Sequence, residues 1–275
     1  VRDMRRSEIR VLILRVGGTN CDRETALAFR DLGVEAEVVH THRVIRERSL
    51  PDYDVLVFPG GFSYGDYVRS GVIWAKLVEA YLLEDLMRFV EEGHPVIGIC
   101  NGFQLLVELG LLPGFEGRSP YPEAALATNS SNVYECRWVR LKNVNRGNCP
   151  FTRSIPREAI IRMPVAHGEG RFLFPREWEE EYLQKLYEKD QLVLRYVKPD
   201  GSFAEGEYPH NPNGSFHDIA GICSPEGNVF GLMPHPERAY YGWQLPDWTR
   251  MGRPPEYGDG RLILEGIVEY VERRF

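Results

Sequence analysis

No Cys-x-x-Cys pair, no phosphate-loop motif and no apolar stretch of membrane-spanning length occurs in these 275 residues. The five cysteines, at positions 21, 100, 136, 149 and 223, are odd in number and widely spaced. That pattern suggests neither a disulfide framework nor a zinc knuckle, and a reducing, cytoplasmic setting is expected. Gly17-Gly18-Thr19 is too short for a dinucleotide fingerprint, and Gly-x-x-x-x-Gly-Lys-[Ser/Thr] is missing, so no P-loop binding of ATP is expected in this chain. Basic residues form no block, and the net charge is −7, which argues against nucleic acid or an anionic membrane as partner. A charged lead-in (Arg2, Asp3, Arg5, Arg6, Glu8) runs straight into a strand pattern, so neither signal peptide nor anchor is expected.

What is present is the content of an α/β enzyme: 43% hydrophobic residues in a length that fits one core. Strand patterns at Arg10 to Val16, Ala36 to His40 and Val55 to Phe58 alternate with a helix over Arg23 to Leu32 closed by Gly33. This βαβ rhythm predicts a mostly parallel sheet covered by helices on both faces, with ligands at the carboxyl ends of its strands. One helical pattern spans Val72 to Glu92, pointing Ile73, Leu77, Tyr81 and Leu82 at the core. The second half is less regular. Tyr134 to Leu141, Ile160 to Pro164 and Gln191 to Val197 read as strands, the first two outside the parallel core, and Ala220 to Cys223 and Val229 to Met233 read as a hairpin. A closing helix is expected over Leu262 to Val271, and the whole chain reads as one domain.

The chemistry concentrates in Pro95-Val96-Ile97-Gly98-Ile99-Cys100-Asn101-Gly102-Phe103-Gln104, a short apolar strand running into a cysteine framed by glycines and then a helix. A residue on such a turn is raised above the sheet in a strained conformation. The following helix directs its positive end at the sulfur, favouring the thiolate. Cys100 is therefore the candidate nucleophile. A thiol that attacks a carbonyl also needs a base, a group to orient that base, and donors for the oxyanion. His235 and Glu237 sit two residues apart beyond an apolar strand, and in extended chain alternate residues share a face, so imidazole and carboxylate can lie side by side. Pro59-Gly60-Gly61-Phe62-Ser63-Tyr64-Gly65-Asp66 follows another strand, and its paired glycines allow backbone N–H groups to converge as an oxyanion site. Val165-Ala166-His167-Gly168-Glu169-Gly170-Arg171 sets polar groups among glycines and reads as a ligand-contacting loop.

The other candidates are weaker. His40 and His42 share a face if extended, but no Cys, Asp or Glu stands at ligand spacing, so no metal site is expected. His94 follows a helix end, and His217-Asp218 has no nucleophile nearby. Cys21, Cys136, Cys149 and Cys223 lack the elbow context and read as inert packing or surface.

These residues resemble the class I (triad) glutamine amidotransferases, in which an elbow cysteine, a Pro-Gly-Gly loop and a His-x-Glu pair deaminate glutamine. Within that group, Gly18-Thr19-Asn20-Cys21-Asp22, Pro59 to Asp66, Gly98 to Gln104, Cys136-Arg137-Trp138-Val139 and Pro164 to Arg171 look like the glutaminase subunits of phosphoribosylformylglycinamidine synthase, the PurQ type. The resemblance covers nearly the whole chain. Two stretches, within 175–190 and 242–260, look like additions to a shorter core. The resemblance implies a flavodoxin-like fold and a glutamyl thioester on Cys100, with His235 and Glu237 managing protons. It also implies an oxyanion hole from the N–H groups of Gly61 and Asn101, and substrate contacts from Gly60, Gln104, His167, Gly168, Glu169 and Gly170. It implies no cofactor in this chain. Ammonia would pass to a synthetase subunit that uses ATP and magnesium to amidate formylglycinamide ribonucleotide in purine biosynthesis, with a small third subunit bridging the two. Two alternatives share the core: a glutaminase serving another synthetase, and a DJ-1-like or PfpI-like stress protein or peptidase. A non-catalytic regulatory subunit is a third.

Overall fold

The computed structural model describes residues 4–275; Arg2 and Asp3 of the charged lead-in lie outside them. Among the described residues, nine strands form one sheet. Four belong to the first half: β1 (Arg10–Arg15), β2 (Glu35–His40), β3 (Val55–Phe58) and β4 (Val96–Ile99). A small antiparallel ribbon pairs β5 (Ala125–Ala127) with β8 (Arg171–Leu173). The main sheet is completed by β6 (Glu135–Asn143), β7 (Ile160–His167), β9 (Leu192–Val197), β10 (Ile219–Cys223) and β11 (Val229–Leu232). Its order is β2-β1-β3-β4-β11-β10-β9-β6-β7. The first five are parallel neighbours and the last four join antiparallel, as the expected mixture of a parallel core with extra antiparallel strands requires.

Composition explains the division. The central strands β3, β4 and β11 (Val-Leu-Val-Phe, Val-Ile-Gly-Ile and Val-Phe-Gly-Leu) are buried at every residue, the signature of a parallel sheet covered on both faces. At the far edge, β7 alternates buried with exposed or half-buried positions, as one packed face and one wet face demand. The covering helices are α1 (Asp22–Asp31), α2 (Thr41–Glu47), α3 (Val72–Tyr81), α4 (Leu83–Glu91), α5 (Asn101–Glu108), α6 (Glu179–Glu188) and α7 (Gly260–Arg274). In α5 every residue from Asn101 to Val107 is buried, so this helix is part of the core.

Several local expectations need correction. The pattern over Val72 to Glu92 is two helices that break at Leu82, and the buried stripe of the first is Trp74, Ala75 and Val78 while Tyr81 is exposed. The segment is apolar on nearly all sides, so its period fixes no unique phase. His40 and His42 do not share an extended face: His40 caps α2 by accepting a hydrogen bond from the His42 N–H, and the two rings stack. The expected 165–171 loop begins inside β7, which continues to His167. The charged segment after Phe174, by contrast, forms the solvated surface helix that its charge favours, α6, of which Leu186 alone is buried.

The glycines beside Cys100 have a packing reason. A Cβ on Gly102 would lie 1.9 Å from the carbonyl oxygen of Phe58, and one on Gly98 would lie 2.5 Å from the carbonyl oxygen of Gly102. Strands β3 and β4 and helix α5 therefore touch backbone to backbone, with nothing soft to yield. Gly102→Ala should lower unfolding stability by about 3 kcal/mol or more, whereas Gly17→Ala, whose Cβ would meet nothing within 4 Å, should stay within about 1 kcal/mol. Denaturant midpoints of the two variants measure the contrast.

Candidate active site

Four adjacent parallel strands, β1, β3, β4 and β11, end on the same side of the sheet, and each delivers one part of the site. Beyond β4, Cys100 adopts φ 52° and ψ −104°. A non-glycine residue there costs about 1–3 kcal/mol, held in place by the Cys100 N–H donating to the Leu232 carbonyl and the Gln104 N–H donating to the Cys100 carbonyl. The sulfur lies 3.6 Å from the Ala166 carbonyl of β7.

Beyond β11, the Met233-Pro234-His235-Pro236-Glu237 run is fixed where the His235 N–H donates to the Pro164 carbonyl. His235 Nδ1 lies 2.5 Å from Glu237 Oε1, both side chains fully enclosed. A carboxylate can only accept, so Nδ1 carries the proton and Nε2 is the free basic nitrogen. Among the described residues Nε2 has no hydrogen-bond partner. Burial pushes the imidazolium toward neutrality, but the Glu237 carboxylate and the Cys100 sulfur outweigh it and hold the His235 pKa well above the ordinary range.

Beyond β3, Gly60 is the bed of the imidazole. A Cβ there would lie 2.7 Å from His235 Cε1 and 3.1 Å from Cys21 Sγ. Gly61 (φ 150°) faces Thr19 across a single bridge, and its N–H has no partner among the described residues. Asn101 opens α5, and amides in a first helical turn have no intrahelical acceptor. The Asn101 side chain joins the two loops: its Oδ1 accepts from the Ser63 N–H and its Nδ2 donates to Gln104 Oε1.

The cavity over Cys100 is lined by Asn20, Cys21, Gly61, Phe62, Tyr134, Ala166, His235 and Arg238. At about 20 Å³ it has room for about one water. Phe62 and Tyr134 both line it, with ring centroids 6.2 Å apart, and a cavity of this volume is too small for glutamine as it stands.

The remaining expected contact residues stand back from this cavity. The Gln104 amide is taken up by Asn101 and by the Glu169 carbonyl, and the Glu169 carboxylate accepts from the Ser70 N–H. His167 is buried with its nitrogens against Asn129 and Asn213, and burial together with the His235 charge lowers its pKa to about 3. Gly170 lies against the same ring, where a Cβ would be 2.5 Å from it, and the Gly168 carbonyl accepts from the Asn129 N–H. None of these residues is among those lining the cavity over Cys100.

Sequence reasoning gave no role to Asn20, Phe62, Tyr134 and Arg238, and it read Cys21 as inert packing or surface without placing it at this cavity, where it is buried. Cys21 lies 3.9 Å from His235 Nδ1. Its position directly after β1, on the same sheet edge as the two recognised loops, was the available signal. Cys136 is exposed, and Cys149 and Cys223 are buried away from this cavity. Among the described residues, Cys21, His235 and Glu237 bring possible metal-ligand atoms within 4.8 Å of each other, but the Arg238 guanidinium on the Cys21 sulfur opposes a cation there.

A model of the CobB/CobQ-like glutamine amidotransferase domain matches residues 8–271. The chain belongs to this family. Among its amidotransferase relatives, the phosphoribosylformylglycinamidine synthase subunit PurQ of Archaeoglobus fulgidus is 49% identical over 280 residues, covering 98% of this chain and all of that one. The subunit of the same name from Thermus thermophilus is 44% identical over 232 residues, covering 84% and 90%. The solved structure of PurLQS from Thermotoga maritima contains an amidotransferase-like chain that superposes with a TM-score of 0.70 at 34% identity, covering 96% of this chain and 99% of that one.

His167 supplies a pH test of the amidotransferase framework. Its folded pKa lies below its unfolded value near 6.5, so the unfolded chain binds the extra proton. The His167 contribution is complete above pH 6.5 and declines toward pH 3 by about 1.4 kcal/mol per unit. His167→Asn should therefore be less stable than the parent at pH 7 and lose stability less steeply between pH 6.5 and 4. Urea titrations across that range read both effects.

Proposed function

We propose that Cys100, His235 and Glu237 hydrolyse glutamine, and that this chain is the glutaminase subunit of phosphoribosylformylglycinamidine synthase in purine biosynthesis. The observation that carries this reading is the meeting of thiol, imidazole and carboxylate with two unpartnered backbone amides at one sheet edge, in a chain so similar to subunits of that name.

The steps follow from the atoms. His235 Nε2 takes the Cys100 proton, and the thiolate attacks the side-chain amide carbon of glutamine. The N–H groups of Gly61 and Asn101 hold the oxyanion. The imidazolium, stabilised by Glu237, gives its proton to the leaving nitrogen, so that ammonia departs and a glutamyl thioester remains. Water, activated by the same nitrogen, releases glutamate and restores the thiol. Substrate recognition by Gly60, Gln104 and the His167-Gly168-Glu169-Gly170 loop is mostly indirect: these residues set the backbone against which glutamine lies.

The ammonia goes to a synthetase subunit that carries ATP and magnesium and converts formylglycinamide ribonucleotide to formylglycinamidine ribonucleotide, with a small bridging subunit completing the complex. We read the chain as one amidotransferase domain with additions in 175–190 and 242–260. A cytoplasmic location agrees with five free cysteines, and no helix of the described residues is long and apolar enough to cross a membrane. The His-x-Glu pair beyond β11 weighs against a DJ-1-like or PfpI-like role, and the names of the relatives weigh against another synthetase.

Cys100→Ser in the assembled complex should lower glutamine-dependent amidation by about three orders of magnitude or more and leave ammonia-dependent amidation intact. Parallel assays with the two nitrogen donors decide it. Loss of both activities would instead give the β4 elbow a structural role.

A further inference from the structure

A second sulfur stands beside the Nδ1 edge of His235, and its surroundings are tightly specified. Cys21 Sγ lies 3.1 Å from Asn20 Oδ1, and Arg238 Nη2 donates to it at 3.1 Å. The Cys21 N–H donates to the Gly60 carbonyl and the Thr25 hydroxyl donates to the Cys21 carbonyl, so the backbone that carries the sulfur is pinned to the oxyanion loop and to α1. The sulfur lies over Gly60, where a Cβ would approach it to 3.1 Å. Arg238 in turn reaches outward, where its Nε donates to Glu24 Oε1 at 2.7 Å.

Cys21 is not a second nucleophile. Burial pushes its thiol up to about 12 despite the neighbouring imidazole and guanidinium. It remains a neutral S–H that donates toward Asn20 and accepts from Arg238. What it accepts matters because of the next residue along. Glu237 Oε2 is buried with no hydrogen-bond partner, and the Glu237 charge acts directly on the Arg238 guanidinium. An arginine without its sulfur acceptor has an unfilled carboxylate oxygen next to it, and Arg–carboxylate pairing is strong. Such a pairing would draw Glu237 charge away from the imidazolium.

We propose that Cys21 is a positioning residue for the general base: by occupying Arg238 Nη2 it keeps the guanidinium off Glu237 and leaves the carboxylate to His235. The proposal rests on the glutaminase reading for its consequence, but its physical content concerns the imidazole itself. The titratable groups around that ring are Glu237 and Arg238 on its own segment, Cys21 before α1, Cys100 at the start of α5, Tyr134 before β6 and His167 at the end of β7.

The test is a titration of His235 by NMR in the ¹⁵N-histidine-labelled chain, which needs no turnover, paired with glutaminase assays of the assembled complex. In Cys21→Ala the His235 midpoint should fall by about one pH unit, because the imidazolium loses carboxylate stabilisation. Glutaminase kcat should fall by about one order of magnitude, with its acidic limb moved to lower pH and ammonia-dependent amidation unchanged. Cys21→Ser keeps an acceptor and should restore both quantities to near the parent. Cys21→Ala combined with Arg238→Gln removes the competing cation and should recover the midpoint. Cys21→Val, which fills the space without an acceptor, replaces the alanine variant if that one does not fold. An unchanged midpoint in the acceptor-less variant, or a double variant that recovers nothing, overturns the proposal. A parent complex without glutaminase activity would overturn the functional reading while the NMR result still judges the role of Cys21.

Discussion

The bond between His235 Nδ1 and Glu237 Oε1 is the interaction on which the site depends. Both groups are enclosed, and a buried carboxylate or imidazolium alone would cost several kcal/mol or shift to its neutral form. Together they resolve two problems. The carboxylate fixes the tautomer that leaves Nε2 basic, and its charge keeps the imidazolium accessible in a place where burial would otherwise abolish it. The two-residue spacing gives the pair its geometry, and the flanking prolines restrict the backbone that carries it. The pair is local in sequence, but it is seated by distant elements: the His235 N–H donates to the Pro164 carbonyl and Arg238 is held by Cys21.

The sheet supplies that cavity by a second constraint, strain. Cys100 sits in a backbone region that side chains avoid, and backbone-to-backbone packing at Gly98, Gly102 and Phe58 keeps it there. Strands β3, β4 and α5 are buried throughout, so the local strain is opposed by a core whose rearrangement would be more costly than the strain itself. Catalytic geometry is thus derived from the most rigid part of the molecule, while the loops beyond β1 and β3 and the turn after β11 only need to meet it.

The parts legible in the sequence were those whose chemistry is local. Gly-x-Cys-x-Gly after an apolar strand, His-x-Glu after another and a paired glycine after a third each carry their meaning within a few residues, and the parallel order of the sheet makes their convergence a matter of topology. The role of Cys21 was not legible, because its importance comes from a hydrogen bond to Arg238, more than 200 positions away. Tyr134 escaped for the same reason: it belongs to an antiparallel half whose path over the site has no repeating pattern. His167 was read as a ligand contact from its glycine-rich setting, and one of those glycines, Gly170, lies against its ring. Polar residues among glycines mark close backbone approach whether a ligand or the protein itself is what approaches.

The cavity's size separates readiness from access. Thiol, imidazole and carboxylate stand in place at the sheet edge, whereas the space above the sulfur has room for about one water. The residues that close it, Phe62 and Tyr134, come from loops and not from the sheet, and both retain solvent exposure. A tilted ring pair of this kind contributes about 0.5–1.5 kcal/mol beyond its area, far less than the core that fixes Cys100. The wall of the cavity is thus held more weakly on the Phe62 and Tyr134 side than on the Cys100 side. An enzyme whose product ammonia must be delivered rather than lost gains from this division: its chemistry is set by the rigid sheet edge, and the room that glutamine needs has to come from the loop side of the cavity.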